Sequence, residues 1–105
     1  MQPDQEVINK LVQTVVKAVN PLKIILFGSA LKGEMGKDSD VDILVVMPDG
    51  THRRKTAQEL HFKMQGFPLP VDILVATPTD LEKHKDNIGL IYKTVLKEGR
   101  DIYVS

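Results

Sequence analysis

Asp40 and Asp42 stand two residues apart at the start of an apolar run, Asp40-Val41-Asp42-Ile43-Leu44-Val45-Val46-Met47. Strand side chains alternate between faces, so both carboxylates are expected on one face while Val41 enters the core. Asp72 opens a second run of the same local type, Val71-Asp72-Ile73-Leu74-Val75-Ala76. Neighbouring strands lie about 4.8 Å apart, so two strand mouths can gather three carboxylates. Like charges that close repel, and a divalent cation removes the problem. An all-oxygen donor set suits Mg²⁺, which takes one or two carboxylates together with phosphate oxygens and water. Any one of these aspartates alone reads as a solvated strand end or a cap. The Asp40–Asp42 pair argues for more, and spacing alone supports Asp72 least.

The second candidate feature is Gly28-Ser29, which closes the short apolar run Lys23-Ile24-Ile25-Leu26-Phe27. A glycine at a strand end lets backbone approach a ligand closely. A serine hydroxyl and adjacent N–H groups can hold phosphate oxygens. By itself a Gly-Ser pair is only a turn. Two rival motifs fail on composition. Gly28 and Gly33 are spaced like a P-loop, but Glu34 stands where that loop needs lysine. Asp38, Asp40 and Asp42 mimic the first ligands of a calcium loop, but Ile43 and Asp49 stand where glycine and glutamate are required.

The elements that would position these residues can be read from periodicity. Val7-Ile8, Leu11-Val12, Val15-Val16 and Val19 form one helical stripe, ended by Asn20-Pro21. Strands over 23–27 and 40–47 follow, then a turn at Pro48-Asp49-Gly50. Residues 51–65 predict a weakly amphipathic helix with Ala57, Leu60 and Met64 inward, broken at Gly66 to Pro68. After the third strand, Thr79 and Glu82 fit a capping box, with Ile88, Ile91, Tyr92, Val95 and Leu96 as the inward face and Gly99 as the stop. Ile102-Tyr103-Val104 reads as a short last strand. The helical crossover makes strands two and three parallel. Strand one must run antiparallel to strand two if Gly28-Ser29 is to reach the aspartates. The expected fold is therefore α/β in the α+β sense: a mixed sheet of three to four strands with helices packed on it.

The bulk numbers limit what this sheet can serve. A chain of 105 residues is expected to form one domain, 1–105. Fourteen basic residues balance fourteen acidic ones, so there is no strong sign of direct DNA or RNA binding. The chain has no cysteine, which excludes disulfides, thiolate metal sites and cysteine nucleophiles. No apolar run approaches a membrane span, the N-terminus is no signal peptide, and the expected compartment is the cytoplasm. His52, His61 and His84 show no ligand spacing and read as ordinary surface or boundary residues. Tyr92 reads as core.

The run Phe27-Gly28-Ser29-Ala30-Leu31-Lys32-Gly33-Glu34, followed by Asp38-Ser39-Asp40-Val41-Asp42, resembles the DNA polymerase β nucleotidyltransferase superfamily. That family's signature is Gly-Ser, ten residues, then Asp-x-Asp, and Ala30 to Ser39 supply the ten. Its third carboxylate sits on a later strand, matching Asp72. The size is similar to that of the minimal nucleotidyltransferases, and the resemblance spans nearly the whole chain. One departure stands out. Many members carry arginine at the positions of Ala30 and Lys32, so phosphate-facing charge here is reduced to Lys32 or supplemented by Lys37, Arg53 or Arg54.

The resemblance implies a polymerase-β-like fold and a Mg²⁺-dependent transfer with ATP as donor. Asp40 and Asp42 would bind two Mg²⁺ ions, and Asp72 would bind the catalytic one and help activate the acceptor hydroxyl. Gly28, Ser29 and Lys32 would form the nucleotide-binding part. It further implies pairing with a HEPN-domain toxin in a type VII-like toxin–antitoxin module, with AMP moved onto a tyrosine of that toxin. Transfer to a small molecule such as an aminoglycoside, or a non-catalytic binding antitoxin, are the alternatives.

Overall fold

The computed structural model describes residues 5–27, 41–67, 70–84 and 99–105. Helix α1 spans Gln5–Val19 and buries Ile8, Leu11 and Val15, the centre of the predicted stripe. It stops where the sequence requires. Asn20 takes a left-handed conformation (φ 51°), and its N–H bonds the Val16 carbonyl at 2.9 Å. Asparagine is one of the few residues that tolerate this backbone, and Pro21 cannot continue the helix.

Strands β1 (Lys23–Phe27), β2 (Val41–Val46), β3 (Val71–Ala76) and β4 (Arg100–Val104) form one sheet in the order β3-β2-β1-β4. β1 and β2 are antiparallel, β2 and β3 parallel, and β1 and β4 antiparallel with a register shift between Ile24 and Ile25. The mixed sheet and both expected strand directions are thus present, and the last short strand lies beside β1.

Period-two alternation divides the strand residues between two cores. Ile24, Leu26, Val41, Ile43, Val45, Ile73 and Val75 face α1 and α2, where they meet Leu11, Val15, Leu60 and Met64. Ile25, Phe27, Leu44, Val46 and Ala76 line the other face with Leu74 and Leu81. Burial on both faces explains why β1 and β2 read as continuous apolar runs.

Helix α2 spans Arg53–Lys63, inside the 51–65 predicted. Leu60 and Met64 are buried as expected and Ala57 is partly so. Thr56 is buried as well, and its hydroxyl donates to the His52 carbonyl at 3.0 Å. Gly50 (φ 93°) makes the turn after β2, and Gly66 (φ 82°) turns the chain away from α2.

Helix α3 spans Pro78–His84 and starts earlier than predicted. The capping pair is Thr77 and Asp80. The Asp80 N–H donates to the Thr77 hydroxyl oxygen at 3.3 Å, and the Thr77 N–H donates to Asp80 Oδ2 at 3.0 Å. Two overlapping boxes compete here, and the one that leaves Pro78 at the first helical position wins, because proline has no N–H to satisfy there. The predicted continuation through Ile88, Ile91, Tyr92, Val95 and Leu96 lies outside the described residues. Among the described residues no helix is long and apolar enough to cross a membrane.

Candidate active site

β1 ends at Phe27, which is paired with Asp42 near the start of β2. β2 and β3 then run parallel in a register that sets Asp42 beside Asp72. The two residues share a strand parity with Leu44 and Leu74, so both lie on the face opposite α1 and α2. Sequence reasoning placed Asp42 and Asp72 at neighbouring strand mouths, and the sheet brings them together. Adjacent strands bring register partners to within about 5 Å of each other at Cα. Asp42 is half-buried and Asp72 exposed, a gradient that follows from β2 being an inner strand and β3 an edge.

Phe27, Asp42, His61, Asp72, Ile73 and Leu74 line an open depression of about 320 Å³. Its walls are largely apolar, with the two carboxylates and one imidazole as the polar groups. Such a concave site, mostly apolar with few convergent polar groups, is the usual form of a small-ligand site. Gly28 and Ser29 follow Phe27 directly in the chain. Gly28, Ser29, Lys32 and Asp40 lie outside the described residues, as does Lys37.

The donor chemistry fits Mg²⁺. Both described candidates are carboxylates, hard oxygen donors, and Mg²⁺ is typically held by one or two such groups. Among the described residues no group of three or more potential ligands gathers. A cation here would therefore rest on Asp42 and Asp72, with Asp40, two positions from Asp42 in the sequence, as the expected third.

Arg53 and Arg54 are a correction to the sequence reading. They were candidates for supplementing the phosphate-facing charge. They instead line a different depression, of about 460 Å³, with Thr51, His52 and Val75. β2 and β3 begin at the aspartates and finish near Val46 and Ala76, and α2 starts only after β2 has finished. Four residues of strand separate the two ends by about 13 Å. Arg53 is moreover engaged there by Asp80, at 3.2 Å.

His52 is more than a surface residue. Its Nδ1 accepts from the Lys55 N–H at 3.2 Å and caps α2. His61, expected to be an ordinary surface or boundary residue, lines the same depression as the two aspartates. No spacing signal could have revealed this, because the contact depends on how α2 lies over the outer strand.

The family model for the nucleotidyltransferase domain matches residues 8–102. This chain belongs to the nucleotidyltransferase domain family. Several solved structures share the fold. A nucleotidyltransferase candidate from Sulfolobus solfataricus superposes with a TM-score of 0.61 at 20% identity, covering 94% of this chain and 78% of that one. A toxin–antitoxin structure solved with AMP-PNP gives 0.59 at 24% identity, covering 93% and 73%. The toxin–antitoxin MntA-HpeT, in a mutant form, gives 0.54 at 22% identity, covering 99% and 75%. No curated protein matches by sequence. At these identities the structural likeness speaks to the fold. The nucleotidyltransferase assignment itself rests on the family match, which covers both ends of the sheet and the aspartate strands.

Proposed function

We propose that this nucleotidyltransferase moves AMP from ATP onto a hydroxyl of a partner protein, a tyrosine of a HEPN-domain toxin, and acts as the antitoxin of the pair. The observation that carries the reading is the register of β2 and β3, with Asp42 beside Asp72 next to the end of β1. The fold shared with two toxin–antitoxin structures, one of them solved with the ATP analogue AMP-PNP, supports the choice of donor and setting.

Asp42 and Asp72, with Asp40, would hold Mg²⁺. When bound, the metal supplies charge stabilisation to the phosphate oxygens that enter and leave. The remaining work falls to the chain. Gly28 and Ser29 hold the β- and γ-phosphates through backbone N–H groups and the serine hydroxyl, with Lys32 adding positive charge. Asp72 stands on the outer strand, nearer to solvent, and takes the proton of the acceptor hydroxyl. The acceptor oxygen forms its bond to the α-phosphorus as the bond to the β-phosphate bridge breaks. The proton ends on Asp72, and the electron pair leaves with pyrophosphate.

The test is a mass measurement on a purified HEPN-domain partner incubated with this chain, ATP and Mg²⁺. The reading expects a gain of one or more AMP units on a tyrosine, absent with Asp42→Asn. Transfer to an aminoglycoside with no partner present would move the assignment to a small-molecule enzyme. Full suppression of toxicity by Asp42→Asn would move it to a binding antitoxin.

A further inference from the structure

We propose that His61 is an acceptor-binding residue of the site, contacting the group that receives the nucleotide and leaving the nucleotide itself alone. The inference rests on the transfer reading above and adds a residue to it. Its basis is the lateral order of the sheet. Going outward from β1, the strands are β1, β2 and β3, so the site reads Phe27, then Asp42, then Asp72. α2 packs against β3 and α1 on the opposite face of the sheet, at the β3 side of this row. His61, near the end of α2, lines the depression together with Asp72, Ile73 and Leu74.

Phe27, at the end of β1, and His61 therefore sit at opposite margins of the same depression, with the carboxylates between them. A triphosphate held at the β1 margin leaves the β3 margin for whatever attacks it. In-line displacement demands this separation, since the entering oxygen and the leaving pyrophosphate lie on opposite sides of the transferred phosphorus. An imidazole can donate or accept a hydrogen bond, and its flat face packs on an aromatic ring. Both properties suit a tyrosine acceptor. The side chain is exposed, and its neighbours Leu60 and Met64 carry the packing of α2. Its place therefore comes from its helix and not from a role in the core.

A structural alternative exists. His61 is in the last turn of α2, where positive charge complements the helix dipole. The experiment separates the two. AMP transfer to the HEPN-domain protein is followed with His61→Ala and His61→Gln at varied partner and varied ATP, alongside thermal unfolding of each variant. Acceptor binding predicts that His61→Ala raises the KM for the partner about tenfold, leaves the KM for ATP and the unfolding midpoint in place, and is partly rescued by His61→Gln. Unchanged partner KM overturns the inference. So does a change in ATP KM of the same size, which would put His61 on the nucleotide side, or a lowered unfolding midpoint with kinetics intact, which would make it a helix-end residue. If the unaltered chain transfers no AMP to the partner, the transfer reading fails first and the inference falls with it.

Discussion

The two ends of the sheet use aspartate in opposite ways. Where β2 and β3 finish, each acid has a local task. Asp80 accepts from the Thr77 N–H and hydroxyl and from Arg53. Asp49, in the turn after β2, accepts the Thr79 N–H at 3.1 Å and so ties that turn to α3. These bonds hold the Asp49 carboxyl below its ordinary value of 3.8. Where β2 and β3 begin, Asp42 and Asp72 are partnered across strands by another carboxylate. Like charges directly opposite one another weaken a sheet. An acid that caps a helix explains itself through folding. Two carboxylates set side by side in one concave depression suit a bound cation.

Substitutions should break this symmetry in a fixed order. Asp42→Asn has the largest expected effect, a loss of AMP transfer of about a thousandfold, or roughly 4 kcal/mol of barrier at about 1.4 kcal/mol per tenfold. Its cooperative unfolding transition should be retained, because asparagine has nearly the same shape as aspartate. A variant that loses transfer only because it unfolds would erase the contrast.

Asp80→Ala should do the reverse. Loss of the bonds that its carboxylate accepts from Thr77 is expected to lower stability by about 1–2 kcal/mol in denaturant titration, with KM for ATP retained. Arg53 contributes modestly to that figure, since its side chain is about half exposed. His52→Ala removes the cap of α2 and should cost somewhat less, about 0.5–1 kcal/mol.

Asp49 gives the smallest effect, visible only in acid. Its folded-state pKa is depressed, so its contribution is fully present above about 3.8. That contribution is lost as pH falls through the lower folded value. The stability difference between the unaltered chain and Asp49→Asn should therefore shrink as pH is lowered from 5 through that window. A difference that grew toward low pH would contradict the Thr79 bond.

Much of this division was legible in the sequence. The Asp40–Asp42 spacing, the Gly28-Ser29 break and the helical crossover were enough to orient β1, β2 and β3. Spacing alone supported Asp72 least, and it is the parallel register of β2 and β3 that sets it beside Asp42. Three features were not legible. The α3 cap was misplaced by two residues because Thr77 and Thr79 each precede an acid by three, and only the geometry at Pro78 decides between them. Arg53 and Arg54 looked available to a phosphate until the direction of β2 put them at the far end. His61 carries no motif, and its place in the depression comes from the packing of α2 over an edge strand. Lys32, Gly28, Ser29 and Asp40 lie outside the described residues, so their part of the site still rests on the signature spacing.

The central claim is that Asp42 and Asp72 jointly hold a magnesium–nucleotide. Calorimetric titration with a non-hydrolysable ATP analogue, with and without Mg²⁺, tests it most directly. The account predicts Mg²⁺-dependent binding that weakens at least tenfold in Asp42→Asn and again in Asp72→Asn, while Asp80→Ala binds as the unaltered chain does. Binding of equal strength in both aspartate variants, or binding indifferent to Mg²⁺, would contradict it.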